Sequence, residues 1–479
     1  MIKIKYIQMK RSGSLLFKWL FGLLAVMVMI LACKKKGIVD PANGTPYNPT
    51  EDVVVQDFFP KTGGSGQQLV IYGENFGDDK SIVSVKIGDK DATIINVHHD
   101  AIYCIVPDKA YTGEIQVKVG TGTRQGVVMA SEAFNYQKRM VVTTLAGKKD
   151  ERDNYDIKDG TFEDCGGFYN PSWLTFDPDN PNLLYMGQDG GDIRLLNFEN
   201  KTVTTPITRG MGGWERIRTI AFTPDKKYMI IANDQGDVNG KSTSILSRAS
   251  GFKDPQVLTS YRQCNGASIH PVNGELYFNS YEKGQFYRFD LNRYLADHDL
   301  GIKDYQELFK IQDNNWEFNI NIAPTGDYAY IIVINQQYIL RTDYDWNSKT
   351  FTQPYVVCGK PRSAGWVDGV GTTARLSNPY QGVFVKNPDY AGKKDEYDFY
   401  FTEQLNHDIR ILTPEGKVTT FAGRGSSSIN PDPWGHIDGG LRTEARFDRP
   451  EGLAYDSVNQ VFYVGDWMNR CVRKISLEN

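Results

Sequence analysis

Over residues 53–136, apolar and polar residues alternate with a period of two, in short runs broken by Gly or Asp. The clearest runs are Leu69-Val70-Ile71-Tyr72-Gly73, Val83-Ser84-Val85-Lys86-Ile87-Gly88, residues 102–107, and Gly113-Glu114-Ile115-Gln116-Val117-Lys118-Val119. A period of two sends alternate side chains to one face, as in half-buried antiparallel strands. Several such runs at regular spacing predict a two-sheet sandwich.

Beyond residue 138 a different unit repeats: a short inner strand, a turn, then an apolar-aromatic strand. The inner strands are Trp173-Leu174-Thr175-Phe176, Thr219-Ile220-Ala221-Phe222, Gly266-Ala267-Ser268-Ile269, Asn319-Ile320-Asn321-Ile322, Gly382-Val383-Phe384-Val385 and Gly452-Leu453-Ala454-Tyr455. Their partners include Leu184-Tyr185-Met186-Gly187 and Phe462-Tyr463-Val464-Gly465. Repeats of about 45 residues or more, with four short strands each, predict a β-propeller of six blades. The last unit stops at Ile475, one strand short, and Val141-Val142-Thr143-Thr144-Leu145-Ala146-Gly147 has the pattern of the missing strand. A propeller must hide its sheet edges, so residues 141–147 are expected to clasp the last blade. The predicted fold class is all-β, with a sandwich over 52–137 and a propeller over 138–479.

The residues of both regions resemble known families. Pro60, Gly63, Gly66, Ile71-Tyr72-Gly73-Glu74-Asn75-Phe76-Gly77, Val106-Pro107 and Phe134-Asn135-Tyr136 resemble an immunoglobulin-like IPT/TIG domain, which implies a spacer or docking module. Arg449-Pro450-Glu451-Gly452-Leu453-Ala454-Tyr455-Asp456, Val461-Phe462-Tyr463-Val464-Gly465-Asp466 and Asn469-Arg470-Cys471-Val472-Arg473-Lys474-Ile475 resemble an NHL repeat, as does the unit from Pro379 through Val418-Thr419-Thr420-Phe421-Ala422-Gly423. The likeness is weak over residues 218–355.

Lys3, Lys5, Lys10, Arg11 and Lys18 precede an apolar run over residues 20–32 that ends Ile30-Leu31-Ala32-Cys33. The run is shorter than the roughly 20 residues of a membrane span and has the layout of a signal peptide. Its end resembles a bacterial lipobox, which implies cleavage before Cys33 and lipid on its sulfur. Residues 1–32 are thus read as signal and 33–51, rich in Pro and Gly, as a flexible tether. The expected location is the outer membrane, facing the cell surface, although Lys34-Lys35-Lys36 stands where acidic residues commonly mark surface export. The chain carries 54 basic and 58 acidic residues, a net charge of -4, so no basic surface recommends nucleic acid as a partner. Cys104, Cys165, Cys264, Cys358 and Cys471 remain after Cys33, without a C-x-x-C, and nothing in their spacing requires a disulfide.

Propeller ligands usually gather where loops enter the inner strands and leave the second strands, an argument by analogy. The candidate ligand-binding residues there are Tyr169, Trp214, Arg218, Asn265, Tyr281, Trp316, Arg375, Glu403, Gln404, Arg449 and Trp467, with Asp189, Glu215, Asp234, Glu317, Gln337, Tyr380 and His407 on the same loops. Aromatic faces suit sugar rings, and amides, acids and arginines suit hydroxyls; the alternative is that the tryptophans wedge between blades. Arg218, Arg375 and Arg449 suit uronate or sulfate groups, or else pair between blades with acids such as Glu215 and Glu451. Six His, no H-E-x-x-H and no G-x-S-x-G leave Glu403 with Asp234 as the carboxylate pair a glycosidase would need. His98 and His99, adjacent on a strand, point to opposite faces and read as a solvated edge. Residues 234–239 lack EF-hand spacing and read as a solvated turn. No cofactor or metal is expected.

Lipid, tether, Ig-like module and aromatic-bearing propeller together resemble surface glycan-binding lipoproteins of Gram-negative polysaccharide-uptake systems. That resemblance implies a non-catalytic protein that captures poly- or oligosaccharide beside a TonB-dependent transporter complex. A protein-interaction scaffold and a propeller lyase or glycosidase are the alternatives. Cys33→Ser is expected to abolish palmitate incorporation and release the protein from the membrane fraction; undiminished labelling would place the lipid elsewhere.

Overall fold

The computed structural model describes residues 44–425 and 431–478; the signal segment, Cys33 and the tether through residue 43 lie outside the described residues. The chain divides into two compact units, Met1–Lys138 and Arg139–Asn479.

In the first unit two sheets face each other. One orders Val54–Phe59, Gln68–Glu74, Ala101–Ile105 and Thr93–His98; the other orders Thr62–Gly63, Arg124–Tyr136, Gly113–Thr121, Val83–Ile87 and Lys90–Asp91. Alternation in the sequence becomes alternation in burial, as over Val83–Ile87, and Phe58, Ile71, Ile102, Val117 and Phe134 meet in the core. The Glu74-Asn75-Phe76-Gly77 element has a physical role. Phe76 is buried, and Asn75, at φ 63°, accepts from Asn48 N at 2.9 Å and donates to the carbonyls of Asn48 and Glu51 at 2.9 Å each. It thereby pins the incoming chain. His98 sits on a solvated edge, its ring edge-on to Tyr103.

The second unit is the six-bladed propeller. Among the described residues its sheets begin at the inner strands Pro171–Phe176, Arg216–Phe222, Ala267–Ile269, Phe318–Ile322, Pro379–Lys386 and Pro450–Asp456, each followed outward by antiparallel partners. The clasp is Met140–Ala146. It pairs antiparallel with Cys471–Leu477, Val142 opposite Ile475, and completes the last blade. Beyond it, Glu478 N donates to Arg139 O at 3.0 Å. The inner strands are stitched to one another by polar side chains. Gln381 Oε1 accepts from Leu174 N and Leu453 N at 2.8 Å each, and Thr219 Oγ1 accepts from Ala267 N at 3.0 Å. Between blades the faces are apolar and aromatic, as where Tyr330 of the fourth blade stacks on Phe384 of the fifth at 5.6 Å. All five described cysteines are buried and unpaired.

One buried constellation recurs in the first, fifth and sixth blades. Arg194, Arg410 and Arg473 are fully buried on the third strands. Arg410 donates to Glu403 at 2.7 Å and Asp368 at 2.8 Å; Arg473 donates to Asp466 at 2.9 Å and Asp438 at 2.7 Å. Arg194 lies 3.6 Å from Asp159. Each of these aspartates also accepts from a threonine of the outermost long strand: Thr205 to Asp159 at 2.7 Å, Thr420 to Asp368 at 2.9 Å, Thr144 to Asp438 at 3.1 Å. Thr144 belongs to the clasp, so the ion network of the last blade also fastens the ring. The second and fourth blades, whose NHL likeness is weak, pair differently: Arg248 donates to Asp177 of the first blade at 2.8 Å through two nitrogens, and Arg341 to Asp395 of the fifth at 2.6 Å.

Breaking a buried pair from one side is costly because it strands the other charge. Arg473→Ala is expected to cost about 3–5 kcal/mol at neutral pH, read by urea unfolding. Burial pushes the Asp466 carboxyl up to about 6, so the loss should shrink below pH 5, where Asp466 is protonated. An equal loss at both pH values would assign it to packing instead.

Candidate functional site

The loops that enter the inner strands are held by a polar residue at the end of each second strand. Gln188 Oε1 accepts from Tyr169 N at 2.8 Å, and Asn233 Oδ1 from Glu215 N at 2.9 Å. Asn279 Oδ1 accepts from Gly266 N at 2.8 Å, Glu403 Oε1 from Ser377 N at 2.9 Å, and Asp466 Oδ1 from Asp448 N at 2.8 Å. In the fourth blade backbone does the same work, Ile334 N donating to Glu317 O at 2.9 Å. In the other five blades a buried acceptor on a rigid strand thus fixes the loop where an unpaired N–H would be expensive.

These loops surround a cavity of ≈ 550 Å³ over the hub. The first blade contributes Tyr169, Asn170 and Asp189; the second, Arg216 and Arg218; the fourth, Glu317 and Asn335; the fifth, Asn378, Tyr380 and Gln404; the sixth, Glu451 and Trp467. Its floor is an ion network that crosses the ring. Arg218 donates to Asp189 at 2.9 Å and Glu317 at 2.8 Å. Arg216 donates to Asp189 through Nε and Nη2 at 2.8 and 2.7 Å, and to Asp234 through Nη1 at 3.1 Å. The Tyr281 hydroxyl donates to Asp234 at 3.2 Å.

Burial disfavours the Asp189 charge, but Arg218 and Arg216 outweigh it and hold the carboxyl below its ordinary value. At Asp234 burial wins over the same arginines, helped by Glu317, and the pKa rises. Glu451 is the extreme case. It is 2% exposed, its Oε1 accepts from Gln404 Nε2, and its Oε2 has no hydrogen-bond partner. Burial, against the hydrogen bond from Gln404 and the charge of Arg218, pushes it up to about 8, so it is neutral at neutral pH. Among the described residues lining the cavity there is no Ser, Thr, Cys, His or Lys; what it offers is carboxyl, amide, guanidinium and aromatic surface.

Of the residues singled out from the sequence, Tyr169, Arg218, Gln404 and Trp467 line the cavity, with Asp189, Glu215, Glu317 and Tyr380. Tyr281 does not line the cavity; it donates to Asp234, which Arg216 holds. Arg449 lies over the Trp467 ring at 5.6 Å from its centroid. The rest are placed elsewhere. Trp214 is buried between the first two blades, where its Nε1 donates to Ser244 Oγ at 2.8 Å. Asn265 is buried and accepts from Phe318 N at 2.8 Å. Arg375 donates to the carbonyls of Thr372, Thr373 and Ala374. Trp316 is 42% exposed and does not line the cavity. Glu403 is fully buried against Arg410 and faces no Asp234, which is held by Arg216. Asn170, Arg216, Asn335 and Asn378 were not singled out, and Glu451 was read only as a partner for arginine. Arg216 stands two positions before Arg218 on the same strand, which is the sequence signal that associates it with the site.

An IPT/TIG domain joined to an NHL-type propeller with a polar hub cavity defines the class. Residues 54–136 match the IPT/TIG domain family. Over 115 residues, 24% of the chain, the sequence is 30% identical to NHL repeat-containing protein 2 from Bos taurus, and the match spans 14% of that protein's length. A solved auxiliary nutrient binding protein from Bacteroides thetaiotaomicron VPI-5482 is 47% identical, with TM-score 0.83 over 91% of this chain and 100% of its own. A second protein of that organism, described as a candidate phosphatase, is 44% identical, with TM-score 0.84 over 91% and 99%. An auxiliary nutrient binding protein from Bacteroides ovatus ATCC 8483 is 39% identical, with TM-score 0.69 over 91% and 100%. The chain belongs to the family that these Bacteroides proteins represent.

Glu451 makes the pocket testable through stability. Its carboxyl titrates near 4.5 when solvated and at about 8 in the fold, so the folded state binds the proton more tightly. The stability it contributes is complete below pH 4.5 and is lost as pH rises to about 8, at up to about 1.4 kcal/mol per pH unit. Glu451→Gln is expected to flatten the decline of unfolding free energy between pH 5 and 8. An unchanged slope would place the titration on another group.

Proposed function

We propose that this chain is a non-catalytic, lipid-anchored protein of the cell envelope that captures oligosaccharide in the hub cavity for uptake. One observation carries the reading: a cavity of ≈ 550 Å³ with the rings of Tyr169 and Trp467 on its wall and a dense set of fixed hydrogen-bonding groups below. Tyr169 is 45% exposed, so ring surface is open to a ligand. Apolar faces beside convergent polar groups suit sugar rings, whose own faces are apolar and whose edges carry hydroxyls. The description of two related structures as auxiliary nutrient binding proteins supports a capture role. In this reading the lipid on Cys33 holds the protein at the outer membrane, beside a TonB-dependent transporter complex.

The relative described as a candidate phosphatase gives the second reading, hydrolysis of a phosphate ester. Among the described residues the cavity wall holds no Ser, Thr, Cys or His, and its only hydroxyls are the phenols of Tyr169 and Tyr380. Tyr169→Ala and Trp467→Ala are each expected to weaken oligosaccharide binding about tenfold, ~1.4 kcal/mol, in affinity electrophoresis or calorimetry, without changing the melting temperature by more than a few degrees. Turnover of a chromogenic phosphate monoester that vanishes in Asp189→Asn would favour the second reading.

A further inference from the structure

We propose that the deep end of the hub cavity is a subsite for an uncharged, hydroxyl-bearing group, and that it excludes carboxylated, sulfated and phosphorylated ones. This rests on the capture reading and narrows its ligand class.

The arginines of the floor look like an anion site, but their charge is already matched by carboxylates. Each terminal nitrogen of Arg218 donates to a carboxylate, Nη1 to Asp189 and Nη2 to Glu317. Arg216 spends Nε and Nη2 on Asp189 and Nη1 on Asp234. At the floor two guanidiniums therefore face three carboxylates, so an anionic ligand drawn to their remaining N–H groups would sit beside carboxylates that already match the charge. Like charges brought together in a desolvated site repel strongly. An ammonium group would in turn lie against the two guanidiniums. A neutral group meets neither obstacle.

The cavity also shows what it lacks. Glu451 Oε2 and Asn170 Oδ1 are buried polar atoms without hydrogen-bond partners, on residues 2% and 7% exposed that line the same cavity. Buried polar atoms are nearly always paired, and those left open call for an occupant. A neutral carboxyl has an O–H that donates and an oxygen that accepts, as a sugar hydroxyl does, so each can satisfy the other in either sense. Burial keeps Glu451 in that neutral form up to a pH of about 8. Asn170 adds an acceptor for a second hydroxyl.

The test is calorimetry on the purified chain with two sets of oligosaccharides of matched length. Dextran-, levan- and xylan-derived fragments form the neutral set; polygalacturonate- and chondroitin-sulfate-derived fragments form the anionic set, with inorganic phosphate as a separate probe. The proposal expects at least one neutral fragment to bind, and every anionic fragment to bind at least tenfold more weakly. Glu451→Gln, which keeps one donor and one acceptor, should hold neutral affinity within threefold, whereas Glu451→Ala should lose at least tenfold. Glu317→Gln releases one Arg218 amino group and should raise affinity for an anionic fragment at least fivefold. Anionic fragments or millimolar phosphate binding as well as the neutral set would overturn this inference and leave the capture reading standing. So would unchanged neutral affinity in Glu451→Ala, or no gain in Glu317→Gln. If no fragment of either set binds, the capture reading itself falls. Thermal melts of each variant distinguish lost binding from lost fold.

Discussion

Closure of the ring is the constraint on which the propeller depends. Six sheets around a hub leave an open edge unless the two ends of the chain meet, and an exposed edge invites pairing with other chains. Here Met140–Ala146 completes the blade that Pro450–Asp456 begins. The joint is more than a backbone ladder. Val142 enters an apolar cluster with Phe447 and Ile475, and Thr144 bonds to Asp438, which Arg473 holds. The fully buried arginine is therefore at once a feature of the NHL-like repeat and the fastening of the ring.

Once the ring is closed, the hub becomes a place where residues far apart in sequence are held within bonding distance. Arg218 of the second blade reaches Glu317, ninety-nine residues away, across the loops. Gln381 takes backbone N–H groups from the first and last blades. The same polar caps that end the second strands fix the loops around the cavity, so the cavity wall needs no support beyond the propeller's own repeat. This rigidity suits recognition by preformed hydrogen bonds, where little ordering remains when a ligand arrives.

Much of the fold was legible because it rests on short-range pattern. The period of two over Val83–Ile87 becomes its alternating burial, and the missing outer strand of the last unit pointed to the clasp. The site was legible only in part. Tyr169, Arg218, Gln404 and Trp467 lie where loop position placed them, whereas Trp214 turns into the space between blades and Glu403 turns onto Arg410. Loop position states which end of the propeller a residue occupies. It does not state whether the side chain faces the channel or a neighbouring blade. The Asp-Gly pairs at Asp159, Asp368 and Asp438 were visible signals of the arginine constellation, and they recur in the blades where the NHL likeness is strongest.

What the sequence determined by itself is the architecture: strand periodicity, repeat number, the donated strand, and the polar and aromatic stock of the loops at the hub. Those are local properties, set by alternation and by the need to pair every edge. What only the tertiary structure decided is the chemistry of the cavity. The charge of Arg218 is matched because Asp189 and Glu317 reach it from other blades, and Glu451 is neutral because burial removes water that Gln404 and Arg218 do not replace. Charge state and bonding capacity depend on which neighbours arrive from distant parts of the chain, and closing the ring is what brings them together.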